Sequence, residues 1–200
     1  LLDILPHCTV NKVCIADGGE GTVEALVDTL NGEWNEAMAS DPLGRNIKAR
    51  YGIDRHEHTA ILEMATASGL PLLTPEERNP MKTSTYGTGQ LIAHAIGEGC
   101  RKFLIGIGGS ATNDGGTGML RALGFRFTDK EGHELIGGGE ILEHIHKIDN
   151  TLALPQLNEC QFTVACAVNN PLYGPNGAAH VFAPQKGADQ EMVAWLDKGL

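Results

Sequence analysis

The sequence predicts an α/β protein, and three observations carry that prediction. Short apolar runs alternate along the chain with segments of helical period. The apolar runs end in glycine clusters, as strands do when they feed tight loops. With 200 residues, 42% hydrophobic and 20% charged, the chain can bury roughly 70% of its unfolded surface around a core.

Taken in order, Val10 to Ala16 is an apolar run ending at Asp17-Gly18-Gly19, so a buried strand is expected to enter a loop there. A helix is expected to start at Gly21-Thr22-Val23 and to end at Asn31-Gly32. Asp41-Pro42-Leu43-Gly44 is a turn. Ile47 to Ile53 alternates like a half-buried strand, and His58 to Met64 is a second strand candidate. Pro71 to Pro80 is a loop, and the hydroxyl-rich Thr83 to Gly89 leads into a helix over Gln90 to Glu98. Arg101 to Ile107 is the clearest buried strand; a glycine-rich stretch follows it, then a helix from Met119 to Leu123. Gly137-Gly138-Gly139 is a turn, and Gln161 to Val168 is a strand ending at Asn169-Asn170-Pro171. Gln190 to Leu200 begins an amphipathic helix.

Composition excludes several classes of partner. The formal net charge is −10 and no basic stripe occurs, which argues against nucleic acid. An acidic protein that handles phosphate needs local positive potential from backbone N–H groups, a few cations or a metal. The five cysteines are irregularly spaced with no C-x-x-C, so reduced thiols in a cytoplasmic protein are expected. No apolar run reaches the ~18 residues of a membrane span. Leu1 to Pro6 lacks an initiator Met and a basic n-region, so the chain is expected to be a piece of a longer protein.

The strongest chemical signal is the stretch from Gly106 to Gly116, set between a strand and a helix. Its glycines let the backbone approach a phosphate, Ser110 and Thr112 add hydroxyls, and Asp114 is a candidate ligand for Mg²⁺. The same stretch also reads as a turn capped by Ser110 or Asn113. It also matches a variant dinucleotide pattern over Gly106, Gly108 and Ala111, with Asp129 about 20 residues on, a pattern that arises by chance in glycine-rich chains. The P-loop pattern is absent. Ala16 to Thr22 places Asp17 and Glu20 among Gly18, Gly19 and Gly21, which suits a metal, substrate hydroxyls or a plain helix start. Thr83 to Gly89 reads as an oxyanion contact or a helix cap. Lys186, between Gln185 and Gly187, is a cation able to offset phosphate charge. Glu63 stands in an apolar run and needs a partner, whereas the His56/His58 and His144/His146 pairs read as surface residues and the cysteines as core fillers.

In order and spacing, Ala16 to Thr22, Thr85 to Gly89, Gly106 to Gly116 and Pro184 to Gly187 resemble the signatures of bacterial type I glycerate kinases. Asp41 to Gly44, Glu63 to Ala65 and Ser68 to Leu70 fit the same pattern, and the likeness covers essentially the whole chain. The resemblance implies ATP-dependent, Mg²⁺-assisted phosphorylation of the small molecule D-glycerate, with 2-phosphoglycerate as product. It implies part of a flavodoxin-like domain over residues 1–38 and a larger inserted mixed-sheet domain over 39–200, with a homodimer left open. On the matching positions, Asp17, Glu20, Asp114 and Lys186 become the catalytic candidates, Asp17 and Asp114 as metal ligands. Substrate or ATP contacts fall to Gly18, Gly19, Thr85, Thr88, Gly108, Gly109, Ser110, Thr112, Asn113, Gly115 and Asn170. One position departs: the family usually carries Asp where this chain reads Ala165-Cys166-Ala167-Val168. If that acid holds metal or orients the hydroxyl, its loss would cost about 10²-fold or more in rate. The rival readings are an inactive relative that only binds ligand and a dinucleotide-dependent oxidoreductase.

Overall fold

The computed structural model describes Gly19 and residues 21–200. The strand expected over Val10 to Ala16, together with Asp17, Gly18 and Glu20, lies outside the described residues. A five-stranded mixed sheet orders β1 (Glu33–Ser40), β2 (Asn46–Asp54), β3 (Thr59–Glu63), β4 (Lys102–Gly106) and β7 (Gln161–Ala165) side by side. The first three strands are antiparallel and the last three parallel. A separate two-stranded sheet pairs β5 (Arg126–Thr128) with β6 (Lys147–Asp149).

The β1–β2 hairpin is set by its turn. Asp41 Oδ1 accepts from the N–H groups of Leu43 and Arg45, each at 2.9 Å, and Gly44 takes the left-handed conformation with φ +86°. β1 has no counterpart in the sequence reading, because as an edge strand it buries only Ala37 and Ala39 and its polar residues hide the alternation. It pairs with β2 along its whole length, so the boundary expected at residue 38 falls inside a strand.

One face of the sheet packs on α3 (Tyr86–Gly97), with Tyr51, Ile53, Leu62, Leu91, Ile92 and Phe103 in the core. Helix α3 starts four residues ahead of the expected Gln90 and takes Gly87 and Gly89 into its first turns. Those glycines serve close packing: a Cβ on Gly87 would lie 1.9 Å from Ser40 O, and one on Gly89 would lie 2.3 Å from Met119 O of α4 (Thr117–Ala122). On the other face α1 (Thr22–Leu30) sets Val23 and Val27 against Ile61. A second cluster joins α5 (Ala178–Phe182), α6 (Gln190–Gly199) and the 3₁₀ turn Gly139–His144 through Leu142, Ala179, Ala183, Val193 and Leu196. α5, β5 and β6 are too short to show a period in the sequence.

The parallel strands end level. Glu63 pairs with Gly106, and Gly106 with Ala165. Three loops therefore leave the sheet together, and the carboxyl ends of parallel strands are where α/β sheets hold ligands.

Candidate active site

The loop after β4 is held from two sides. Leu70 N–H donates to Gly109 O at 2.9 Å, and Ala111 N–H to Ser68 O at 2.8 Å, so residues 109–111 are tied to the segment that follows α2 (Ala65–Ser68). Farther along, Asp114 is buried and its carboxylate gathers four donors. Oδ2 accepts from Thr85 N–H and Thr85 Oγ1–H, each at 2.8 Å, and from Gly118 N–H at 3.2 Å; Oδ1 accepts from Gly116 N–H at 3.1 Å. Thr85 is the N-cap of α3 and Gly116 that of α4, so one carboxylate answers the open amides of two helix starts. Gly115 and Gly116 carry φ of +58° and +79°, which glycine adopts without strain.

Beside this loop lies a cavity of about 270 Å³, lined by Gly19, Ile107, Gly108, Gly109, residues 165–168, Phe182, Gln185 and Lys186. Lys186 is 6% exposed. Its ammonium donates to Ser110 Oγ at 2.9 Å and to Thr112 O, which leaves a third N–H for a ligand. Burial pulls its pKa down from 10.5 to about 8, and the charge of Asp114 opposes part of that shift. A cation held by neutral oxygens beside a glycine backbone is able to bind an oxyanion. Ala167 stands in the same wall.

A second cavity of about 330 Å³ shares Gly109 with the first. Glu63 lines it and is buried, with Oε1 accepting from Val23 N–H at 2.9 Å, so the acid that needed a partner docks the start of α1 onto the end of β3. Across the cavity, Arg50 stacks over Trp34, 4.4 Å from the ring centroid. The sequence reading passed over Trp34 and Arg50, whose signal was an aromatic and a cation on polar faces of paired strands.

Of the expected site residues, Gly19, Gly108, Gly109, Ser110, Thr112 and Lys186 come together at the first cavity or its ammonium. Thr85 and Thr88 do not. Thr85 serves Asp114 and accepts from Met119 N–H, while Thr88 exchanges a 2.7 Å hydrogen bond with Ser68, and both are buried. Asn113 is buried, and Gly115 sits in the turn beside Leu142. Asn170 is exposed and donates to Asn176 O at 2.9 Å, outside both walls. Asp114, expected as a metal ligand, has its oxygens taken by four donors. Among the described residues no group of three His, Cys, Asp or Glu is placed to hold a metal. Asp129, the acid of the dinucleotide pattern, accepts from His133 N–H at 2.8 Å in the turn after β5, on the small sheet. The histidines at 56, 58, 144 and 146 are exposed. Cys100 is buried, but Cys166 is exposed and lines the first cavity, so it is no core filler. Among the described residues no helix is long and apolar enough to cross a membrane.

The fold and this cleft define a mixed-sheet α/β protein with an oxyanion-ready site at the ends of its parallel strands. The chain belongs to the glycerate kinase family, whose model matches residues 1–200. It is 49% identical over 98% of its length to the glycerate kinase of Haemophilus influenzae, and 46% identical over 99% to the glycerate 2-kinase of Escherichia coli K12; each match covers 52% of the relative. A crystal structure from Salmonella typhimurium LT2 assigned to glycerate kinase 2 superposes with a TM-score of 0.90 at 46% identity, over 99% of this chain and 53% of that one. The chain thus spans about half the length of the curated relatives it matches.

Proposed function

We propose that this chain carries the phosphoryl-transfer site of an ATP-dependent D-glycerate kinase, with 2-phosphoglycerate as product. The observation that carries the reading is Lys186, a buried ammonium with an unused donor, set in the same cavity wall as the Gly108-Gly109 backbone. In this reading the loop amides and Lys186 bind phosphate oxygens and offset the charge that spreads over the transferring group. The second cavity, joined at Gly109, takes the other substrate. Asp114 is a positioning residue: it fixes the loop that places Ser110 and Thr112 under the ammonium.

Among the described residues no group of three His, Cys, Asp or Glu is placed together, so a Mg²⁺ ion would be held by one or two carboxylates together with phosphate oxygens. Asp17 and Glu20, outside the described residues, stay the proposed acids for metal or substrate hydroxyls. The domain boundary is proposed between α1 and β1, and the cytoplasm as the compartment. The test is a coupled assay of ADP release with D-glycerate, run on the full-length polypeptide that carries this chain, with ³¹P NMR of the product. ADP formation that D-glycerate does not stimulate would overturn the proposal, and a 3-phospho product would overturn the isomer.

A further inference from the structure

Away from both cavities, a third of about 240 Å³ shares no lining residue with either. Its size falls below that of pockets for drug-sized ligands, so its occupant is compact. Two cations reach it, Lys82 and Arg121, and neither forms an ion pair with any described residue. Arg121 Nε is buried and has no hydrogen-bond partner. A buried guanidinium N–H without an acceptor is costly, and because it is covered it meets a ligand in this cavity only when the Arg121 side chain turns; the same side chain also lines a neighbouring cavity with Arg126 and Glu134. The guanidinium is steadied over the Tyr86 ring, 5.6 Å from its centroid. Ser84 Oγ accepts from Tyr86 N–H at 3.2 Å, which leaves its own O–H to donate. The one acid in the wall, Asp41, is bound by the Arg45 side chain and two N–H groups, so its charge is already answered.

We infer that this cavity is a second oxyanion site, taking the phosphate or carboxylate group of a compact ligand on Arg121, Lys82 and the Ser84 hydroxyl. It is independent of the Lys186 cavity and gives the hydroxyl-rich stretch a role that the buried Thr85 and Thr88 do not fill. Backbone amide and arginine Nε–H NMR signals, followed during titration with inorganic phosphate and separately with D-glycerate, test it, with sodium chloride at matched ionic strength as reference. The expected result is a saturable shift of Arg121 Nε–H and Ser84 N–H with at least one of the two anions. The responding anion tells phosphate from carboxylate chemistry. Arg121→Gln is expected to weaken the midpoint by about tenfold or more and Lys82→Gln by several-fold, while Lys186→Met leaves it unchanged. Lys82 is exposed, so its variant keeps the test alive if Arg121→Gln fails to fold. Equal shifts with chloride, no shift with either anion, or midpoints unmoved in the folded variants would overturn the inference.

Discussion

Asp114 and Thr85 are joined twice through a single oxygen: Asp114 Oδ2 accepts both the backbone N–H and the hydroxyl of Thr85, each at 2.8 Å. Gly118 N–H reaches the same oxygen, so the starts of α3 and α4 hang on one carboxylate. Asp114→Ala leaves these donors buried and unanswered and is expected to cost about 3 kcal/mol of stability. Asp114→Asn keeps an acceptor and should cost less. Urea unfolding of both variants checks this, and an alanine effect below about 1 kcal/mol would show that water replaces the carboxylate easily.

Gly118 is part of the same clasp. A Cβ there would lie 2.1 Å from Ser84 Oγ, 2.7 Å from Tyr86 N and 2.9 Å from Asp114 Oδ2. Gly118→Ala is expected to destabilise by about 1–3 kcal/mol through overpacking. Gly97→Ala at the far end of α3, with nothing within 4 Å, should be neutral or gain up to about 1 kcal/mol. Thermal unfolding of the pair separates crowding from helix propensity.

The sequence already carried the parallel strands and the loop that joins them to α4, because Phe103 to Ile107 is a short apolar run that leads straight into Gly108-Gly109. It also carried the Asp41–Gly44 turn, whose Asp and Gly each have one local task. What it could not show is which polar groups look inward. Thr85, Thr88 and Asp114 read as ligand contacts because hydroxyls and carboxylates suit both a ligand and a buried clasp, and only the fold decides between them. Lys186 ran the other way. The sequence offered it only as a cation able to offset phosphate charge, and it is Ser110 and Thr112, more than seventy positions earlier, that hold it in the wall of a cavity.

The lowered pKa of Lys186 has a signed consequence. Below about pH 8 both folded and unfolded chains hold its proton, and the penalty of burying the charge is fully present. Between about 8 and 10.5 the folded chain releases a proton that the unfolded chain keeps, so this group makes stability rise with pH across that window. Lys186→Met should abolish that rise and be neutral or stabilising at pH 7. Denaturation midpoints across the window, wild type against variant, provide the check. A rise retained in Lys186→Met would assign it to another group.

Ala167 shares the cavity wall with Lys186, at the position where the resemblance to type I glycerate kinases leads one to expect Asp. Ala167→Asp in the full-length polypeptide is expected to raise kcat by about tenfold or more, if the missing acid orients the hydroxyl. The new carboxylate should also raise the Lys186 pKa and move the basic limb of the rate profile to higher pH. A pH–rate profile of the variant measures both. An unchanged rate with an unchanged limb would show that position 167 does not face the reaction.

The most direct measurement is D-glycerate-dependent ADP formation by the full-length polypeptide, with Lys186 and with Lys186→Met. A buried ammonium that neutralises phosphate charge predicts a loss of about 10²–10³-fold in kcat/KM, without loss of folding stability. Activity of the variant within a few-fold of the parent would contradict the placement of phosphate chemistry at this cavity.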